Sequence, residues 1–418
     1  MSSAARPEMP DAVIVSAVRS PIGRARKGSL AGMRPDDLTT QVVRAALDAV
    51  PQLDPTEIED LLLGCGLPGG EQGHNLARIV AVELGLDTLP GVTVTRYCSS
   101  SLQTARMAAH AIRAGEGDVF LAAGVETVSR FDKGSSDGLP GTHNPSFADA
   151  EARTERVAAE GADSWHDPRA DGAVPDAYIA MGQTAENVAL REGVTREEMD
   201  HFAVRSQNRA GTSLADGFWA REITPITLGD GSIADTDDSP RPGTTYDAVA
   251  SLEPVFRPDG RITAGNACPL NDGAATLVIM SASRAEALGI IPLARIVSTG
   301  VSALSPEIMG LGPIEASGRA LARAGMTIDD VDLVEINEAF AAQVIPSARG
   351  LGMSDDAMEQ KLNVHGGSIA VGHPFGMTGA RIATTLINGL RTRDASIGLE
   401  TMCVGGGQGM AMLLERLS

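Results

Sequence analysis

Cys98 stands in TRYCSSSLQTAR, where a run of strand character gives way to one of helical spacing. A thiol at that junction meets unpaired N–H groups and the positive end of a helix dipole, and both favour thiolate over thiol. The chemistry on offer is nucleophilic attack on a carbonyl. The plainer alternative is an inert, buried cysteine, since free cysteines are among the most buried residues. A second thiol, Cys403, opens CVGGGQG at the end of another apolar run. The glycines after it form either a simple turn or a loop whose free N–H groups meet an anion. His373, in GGSIAVGHPFGMTGAR, is flanked by Gly372 and Pro374. That context predicts a rigid, non-helical bend, in which an imidazole acts as base or donor or merely closes the turn. His365 in the same stretch is the weaker candidate, orienting or structural. Asn337 opens NEAF after VDLVEI, where it would cap a following helix or fix a catalytic water.

The elements that must position these groups alternate between strand and helix. DAVIVSAVRSP reads as an apolar strand, and a helix over about 35–49 leads to a second strand, DLLLGCG. VTVTRYC then runs into SLQTARMAAHAIRAG, with Leu102, Ala105, Ala109 and Ile112 at helical spacing, and the strand DVFLAAGVE follows. The C-terminal part replays that order with LARIVSTGVSA, a helix over about 315–324, VDLVEINEAF, a helix from Thr378, and IGLETMCVGGG. Two similar α/β halves are expected, with mostly parallel sheets and a ligand site at the carboxyl ends of strands, where Cys98 and Cys403 fall. Between the halves the composition turns to Gly, Pro and Asp, interrupted by two helices, MGQTAENVALREG and TREEMDHFAVRSQNRAGTSL. Thr195 and Glu198 predict a capping box for the second. The stretch 131–175 reads as an extended loop.

A chain of 418 residues exceeds what one hydrophobic core organises, so two or three packed subdomains are expected. A net charge of −20 argues against nucleic acid and anionic membrane surfaces as partners. MSSAARPEMP has no apolar core of a signal peptide, and no stretch is long and apolar enough to span a bilayer, which predicts a cytoplasmic protein. Cys65, Cys98, Cys268 and Cys403 show no metal-ligand spacing, so free thiols and no metal are expected.

Taken in order, Cys98-Ser99-Ser100, TAGNACPLNDGAA from Thr263, NEAF from Asn337, GGSIAVGHP ending at Pro374 and CVGGGQG from Cys403 resemble the signature blocks of the thiolase superfamily. The likeness covers nearly the whole chain. It implies a layered αβαβα core with an inserted loop domain. The corresponding division is 1–128 for the N-terminal half carrying the nucleophile, 129–270 for the inserted domain binding coenzyme A, 271–291 for the return to the N-terminal half, and 292–418 for the C-terminal half. The resemblance also implies roles. Cys98 matches the acyl-accepting nucleophile, His373 the histidine that takes its proton, and Cys403 the thiol that exchanges a proton at the nucleophilic carbon. Asn337 matches the residue holding a water in one oxyanion hole, and the N–H groups of Cys98 and Gly405 match the other. Contacts to coenzyme A are expected from Arg241 at the adenosine end, from Met181, Phe256 and Cys268 around the pantetheine, and from Ala264 and Phe340.

The implied activity is reversible condensation of acetyl-CoA with an acyl-CoA, or CoA-dependent cleavage of a 3-ketoacyl-CoA, through an acyl-cysteine. Coenzyme A and acetyl-CoA enter as substrates and no cofactor is held permanently. A homodimer or homotetramer is implied, because catalytic loops in this family lie near a subunit interface. The alternatives are a decarboxylating ketoacyl synthase, whose Cys-His-His plan fits less well than Cys-His-Cys, and a non-catalytic acyl-CoA-binding protein. Some positions depart from the family pattern. Thr95 stands where many members have Asn, Ser101 where Gly is common, Cys268 and Ala248 where Ser is frequent, and Ala180 where short-chain biosynthetic members often have His.

Overall fold

The computed structural model describes residues 10–134, 137 and 139–418; the N-terminal segment read above for a signal peptide lies almost wholly outside them. The first half runs β1 (Ala12–Arg19), β2 (Gly23–Arg24), α1 (Pro35–Asp48), β3 (Asp60–Cys65), α2 (Leu76–Glu83), β4 (Gly91–Val94), α3 (Ser100–Ala114) and β5 (Val119–Thr127). A long excursion carries α4 (Ala148–Glu160), α5 (Met181–Glu192), α6 (Arg196–Ala215), β6 (Ile226–Thr227), β7 (Ile233–Ala234) and α7 (Tyr246–Ala250). The chain returns through β8 (Asn271–Ser281) and α8 (Ala282–Leu288). The second half is β9 (Ala294–Ala303), α9 (Gly312–Ala324), β10 (Leu333–Ile336), α10 (Ala341–Gly350), α11 (Asp355–Lys361), α12 (Ser368–Val371), α13 (Thr378–Thr392), β11 (Ile397–Val404) and β12 (Gln408–Arg416).

Two sheets share one hydrogen-bonded path, β10-β11-β12-β9-β1-β8-β5-β3-β4, joined where Val13 and Ile14 of β1 meet Arg295 and Ala294 of β9. The layering follows from the two-residue period of a strand. In β5, Phe120 and Ala122 face a central core with Leu102, Ala105 and Ala109 of α3 and Ile382, Ala383 and Leu386 of α13. The alternate residues Val119, Leu121 and Ala123 face α1 and α2. In β12, Met410, Met412 and Leu414 reach the same central core, while Ala411 and Leu413 point outward to α9 and α10. Helices α3 and α13 thus lie between two sheets, each covered on its far side by helices, which is the αβαβα arrangement.

The sheets are mixed rather than mostly parallel. Among the described residues only β3–β4, β3–β5 and β10–β11 pair as parallel strands, while β8 lies antiparallel to both β1 and β5, and β12 to both β11 and β9. The reason is connectivity: β12 follows β11 through a tight turn at Gly405-Gly406-Gly407, and a hairpin can only pair antiparallel strands. Gly406 and Gly407 take φ of 75° and 80°, values that side chains with a Cβ rarely adopt. The stretch 131–175 is not a simple loop either, because it contains the helix α4. Its sequence, ADAEARTERVAAE, is rich in helix formers but buries only Ala150, so it has no apolar stripe for a periodicity reading to find. The capping box at Thr195 and Glu198 is present at the start of α6.

Candidate active site

The chain around the nucleophile is forced into a tight bend. After β4, Tyr97 adopts φ of 43°, an uncommon conformation for a residue with a Cβ, and Cys98 sits in the 3-10 turn Tyr97–Ser99 that enters α3. The Thr95 hydroxyl donates to the Gly66 carbonyl at 2.8 Å, and the Ser100 hydroxyl closes the turn by donating to the Tyr97 carbonyl at 2.7 Å. Ser101 accepts from the Ala380 N–H at 2.9 Å, and Gly379 lies so close that a Cβ there would sit 2.2 Å from the Leu102 nitrogen. The N-terminal ends of α3 and α13 are therefore pinned together. That brings the bend carrying Cys98 against the turn after His373.

His373 occupies the bend between α12 and the 3-10 turn Phe375–Met377, and its backbone N–H donates to Asn271 Oδ1 at 3.0 Å. Its ring is 1% exposed; Nε2 faces Asn337 Nδ2 at 3.2 Å and Nδ1 faces Thr378 Oγ1 at 2.6 Å. Burial pushes the imidazole down to about 3, with the Arg381 charge adding to the shift, so the ring is neutral. Asn337 caps no helix: α10 begins at Ala341 with Phe340 before it, and the Asn337 side chain turns to His373 and Ser368 instead. The backbone behind it is held by Glu338, whose buried carboxylate accepts from Ser206 Oγ at 2.6 Å, Asn363 Nδ2 at 2.8 Å and the Ile369 N–H at 3.1 Å.

The Cys98 sulfur is met by the N–H groups of Gly405 and of Cys98 itself. Both favour thiolate, yet burial pushes the thiol up to about 12. The N–H groups thus act as expected of a helix end, but burial outweighs them. A helix terminus contributes about 0.3–1 kcal/mol, and desolvation of a wholly buried sulfur outweighs it. Cys98 rests as a neutral thiol. So does Cys403, pushed well up by burial and by its proximity to Cys98 and Cys268; its thiol donates to Gln343 Oε1 at 3.3 Å. Cys268, at the same cluster, is pushed up to about 12, by burial first and then by Cys98. Three sulfurs distant in sequence therefore feel one another electrostatically, across the space between α3, the end of β11 and the segment before β8.

A cavity of about 510 Å³ opens onto Cys98, Gly405 and Gly406, with Tyr97, Met181 and Phe375 in its wall. The Phe375 ring meets the His373 ring edge-on at 5.2 Å. Ala180, at the start of α5, lines the same cavity. A second groove, of about 270 Å³, holds Arg241, Ala248 and Ala264, with Arg24 opposite. Arg241 is exposed; its backbone N–H donates to Gln207 Oε1 at 2.8 Å and its carbonyl accepts from Thr244 Oγ1 at 2.7 Å. Phe256 and Phe340 line neither cavity. They pack edge-on against each other at 6.1 Å, and a Cβ on Gly182 would strike the Phe256 ring. Phe340 is bridged to Ala267, and the Cys268 N–H donates to the Ala339 carbonyl at 3.0 Å. His365 lies apart, stacked on Phe218 at 3.7 Å and pushed down to about 4 by burial, a structural histidine.

Several participants carried no sequence signal. Glu126 is buried beneath the nucleophile's loop and accepts from the Gly66 and Gly376 N–H groups at 2.7 and 2.8 Å and from Gln72 at 2.7 Å, tying β3, β5 and the turn after His373 together. Thr378, Ser368, Arg381 and Gln343 were likewise missed. Among the described residues no group of three or more His, Cys, Asp or Glu side chains could hold a metal ion, and no helix is long and apolar enough to cross a membrane.

The thiolase N-terminal domain family matches residues 12–283 and the thiolase C-terminal domain family residues 290–416. The chain is 41% identical over 415 residues to a "3-ketoacyl-CoA thiolase" of Aeromonas hydrophila, covering 98% of this chain and 100% of that one. It is 40% identical over 420 residues to the protein of the same name from Bacillus subtilis, covering 97% and 100%. A crystal structure of the Bacillus anthracis acetyl-CoA acetyltransferase superposes with a TM-score of 0.82 at 36% identity, over 99% of this chain and 100% of that one.

Proposed function

The chain belongs to the thiolase family and is an acyltransferase acting on CoA thioesters; from that premise we propose that Cys98 carries the acyl group, His373 takes its proton and Cys403 is the acid and base at carbon. The observation that carries this reading is the environment of Cys98, a neutral buried thiol met by two N–H groups and electrostatically coupled to Cys403.

In the cleavage direction, His373 Nε2 accepts the Cys98 proton as the sulfur attacks the keto carbon of a 3-ketoacyl-CoA. The oxyanion forms against the N–H groups of Cys98 and Gly405. Its negative charge appears as the imidazolium appears, so a site that disfavours isolated charge gains a paired one. Collapse breaks the carbon–carbon bond and expels acetyl-CoA as an enolate, whose oxygen is met by His373 Nε2–H and by a water held by Asn337. Cys403 gives its proton to the enolate carbon. Coenzyme A then loses its thiol proton to the Cys403 thiolate and attacks the acyl-Cys98. The released Cys98 thiolate recovers its proton from His373, which restores the resting state. Condensation is the same sequence reversed.

The neutral resting thiols on Cys98 and Cys403 are the starting state of both directions, each of which draws a proton from both sulfurs. The exposed Arg241 in its separate groove, with Ala264 and Ala248, is the reading for the adenosine end of coenzyme A, and Met181 for the acyl-bearing end. Phe256, Phe340 and Cys268 act there as packing that shapes the channel. We assign residues 129–270 to coenzyme A binding, and infer a homodimer or homotetramer in the cytoplasm that keeps no cofactor between turnovers. Free thiols at all four cysteines suit a reducing compartment. The test is CoA-dependent cleavage of 3-ketoacyl-CoAs of increasing chain length, with mass spectrometry of the trapped intermediate. Cleavage with an acyl adduct on Cys98 is expected. Folded protein that cleaves none of them and forms no adduct would instead be a carrier.

A further inference from the structure

A histidine can accept the Cys98 proton at Nε2 only if that nitrogen is bare in the resting enzyme, and the neighbours of the ring decide which nitrogen is bare. On one side, the Pro374 carbonyl can only accept, so Thr378 commits its single hydroxyl proton there, at 2.8 Å. The Thr378 oxygen must then accept from His373 Nδ1–H at 2.6 Å. On the other side, the Arg381 guanidinium can only donate, and its Nη2 lies 2.6 Å from Ser368 Oγ. Ser368 passes its own proton to Asn337 Oδ1 at 2.6 Å. That fixes the amide, leaving Asn337 Nδ2 to donate to His373 Nε2 at 3.2 Å.

A group that cannot accept stands at one end and a group that cannot donate at the other, so five hydrogen bonds in series have one consistent direction. We propose that Arg381, Ser368 and Thr378 are positioning residues forming this one-way relay, which holds His373 as the Nδ1–H tautomer and orients the Asn337 amide. The assignment rests on His373 being the base for Cys98. Every member of the relay is buried, so water does not compete for these groups. The Asn337–His373 link is the longest of the five and is the one that parts when the Cys98 proton reaches Nε2. Nε2–H and the Asn337 amide are then both free to face the substrate oxygen and its water.

The test is Ser368→Ala, which removes the hydroxyl holding Asn337 Oδ1 and frees the amide to rotate and accept from Nε2–H. Ring nitrogen NMR of protein carrying labelled histidine reads the tautomer directly, with the His373 signals assigned by their loss in His373→Asn. Wild type should show a protonated Nδ1 and a bare Nε2. Ser368→Ala should shift both toward the opposite tautomer, and acetylation of Cys98 by acetyl-CoA should slow roughly 10- to 100-fold, part of the 10²–10⁴ a positioned base supplies. The acetyl-CoA concentration at half-maximal rate should not change, and Ser368→Thr, which keeps the hydroxyl, should restore both readouts. If Ser368→Ala does not fold, Thr378→Val keeps the shape, removes the acceptor for Nδ1–H and should move the tautomer the same way. A wild-type tautomer in the folded variants, or a protonated Nε2 in wild type, overturns the relay. Wild type that holds the Nδ1–H tautomer but never acetylates Cys98 would instead overturn the role of His373 as base.

Discussion

Replacing His373 with Ala separates the two ways in which Cys98 can lose its proton. Burial pushes the Cys98 thiol up to about 12, so at pH ~8 only about one molecule in 10⁴ would hold a spontaneous thiolate, a penalty of about 5.5 kcal/mol at about 1.36 kcal/mol per pH unit. His373 avoids a free thiolate by taking the proton as the sulfur attacks, so that the charges on ring and oxyanion appear together, and the ring, pushed down to about 3, is neutral at every pH above that value. Cys98 acetylation in wild type should therefore be flat from about pH 5 to 9, with no limb near the ordinary histidine value of about 6.5. In His373→Ala the rate should fall by roughly 10²–10⁴ and then climb about tenfold per pH unit, because only the spontaneous thiolate reacts. Rapid quenching after mixing with acetyl-CoA, followed by intact-protein mass spectrometry, gives both profiles. A wild-type limb between about pH 6 and 7, or a variant whose residual rate ignores pH, would refute the reasoning.

Two further predictions follow from groups away from the nucleophile. Glu335 is buried and pushed up to about 8, so the folded state keeps a proton that the unfolded chain loses above about 4.5. Stability should fall as pH rises across that window, by up to about 1.4 kcal/mol per unit from this group, and Glu335→Gln should remove that part of the slope in urea midpoints measured from about pH 5 to 8. Arg241→Ala, at an exposed side chain in the second groove, should raise KM for CoA substrates several-fold and leave kcat unchanged, which steady-state kinetics in both directions would read.

The groups proposed to touch substrate are the ones most legible in the sequence, because Cys98 and Asn337 stand where strand character gives way to a helix, and His373 and Cys403 stand beside glycine or proline. Such boundaries are visible locally. The relay behind His373 was not, for a physical reason: Thr378 and Arg381 belong to a polar stripe along α13 that reads as a solvated face, and only the packing of the other elements buries it. Ser368 and Gln343 gain a role only from residues brought to them by other elements. The direction of the β8 and β12 pairings was hidden by the long excursion before β8 and by the strand after the glycines of CVGGGQG, which was not read as one. Cys98 itself shows the limit of local reasoning, since its sequence offers both a helix end and a buried thiol, and only the fold shows that burial outweighs the helix end.

The most direct measurement of the division of labour between the two thiols uses Cys403→Ala with acetyl-CoA in deuterated water. An acetyl adduct on Cys98 is expected without deuterium incorporation into the acetyl methyl group, where wild type should show both adduct and incorporation. Deuterium incorporation at the wild-type rate in Cys403→Ala, or an adduct found on Cys268 in place of Cys98, would contradict it.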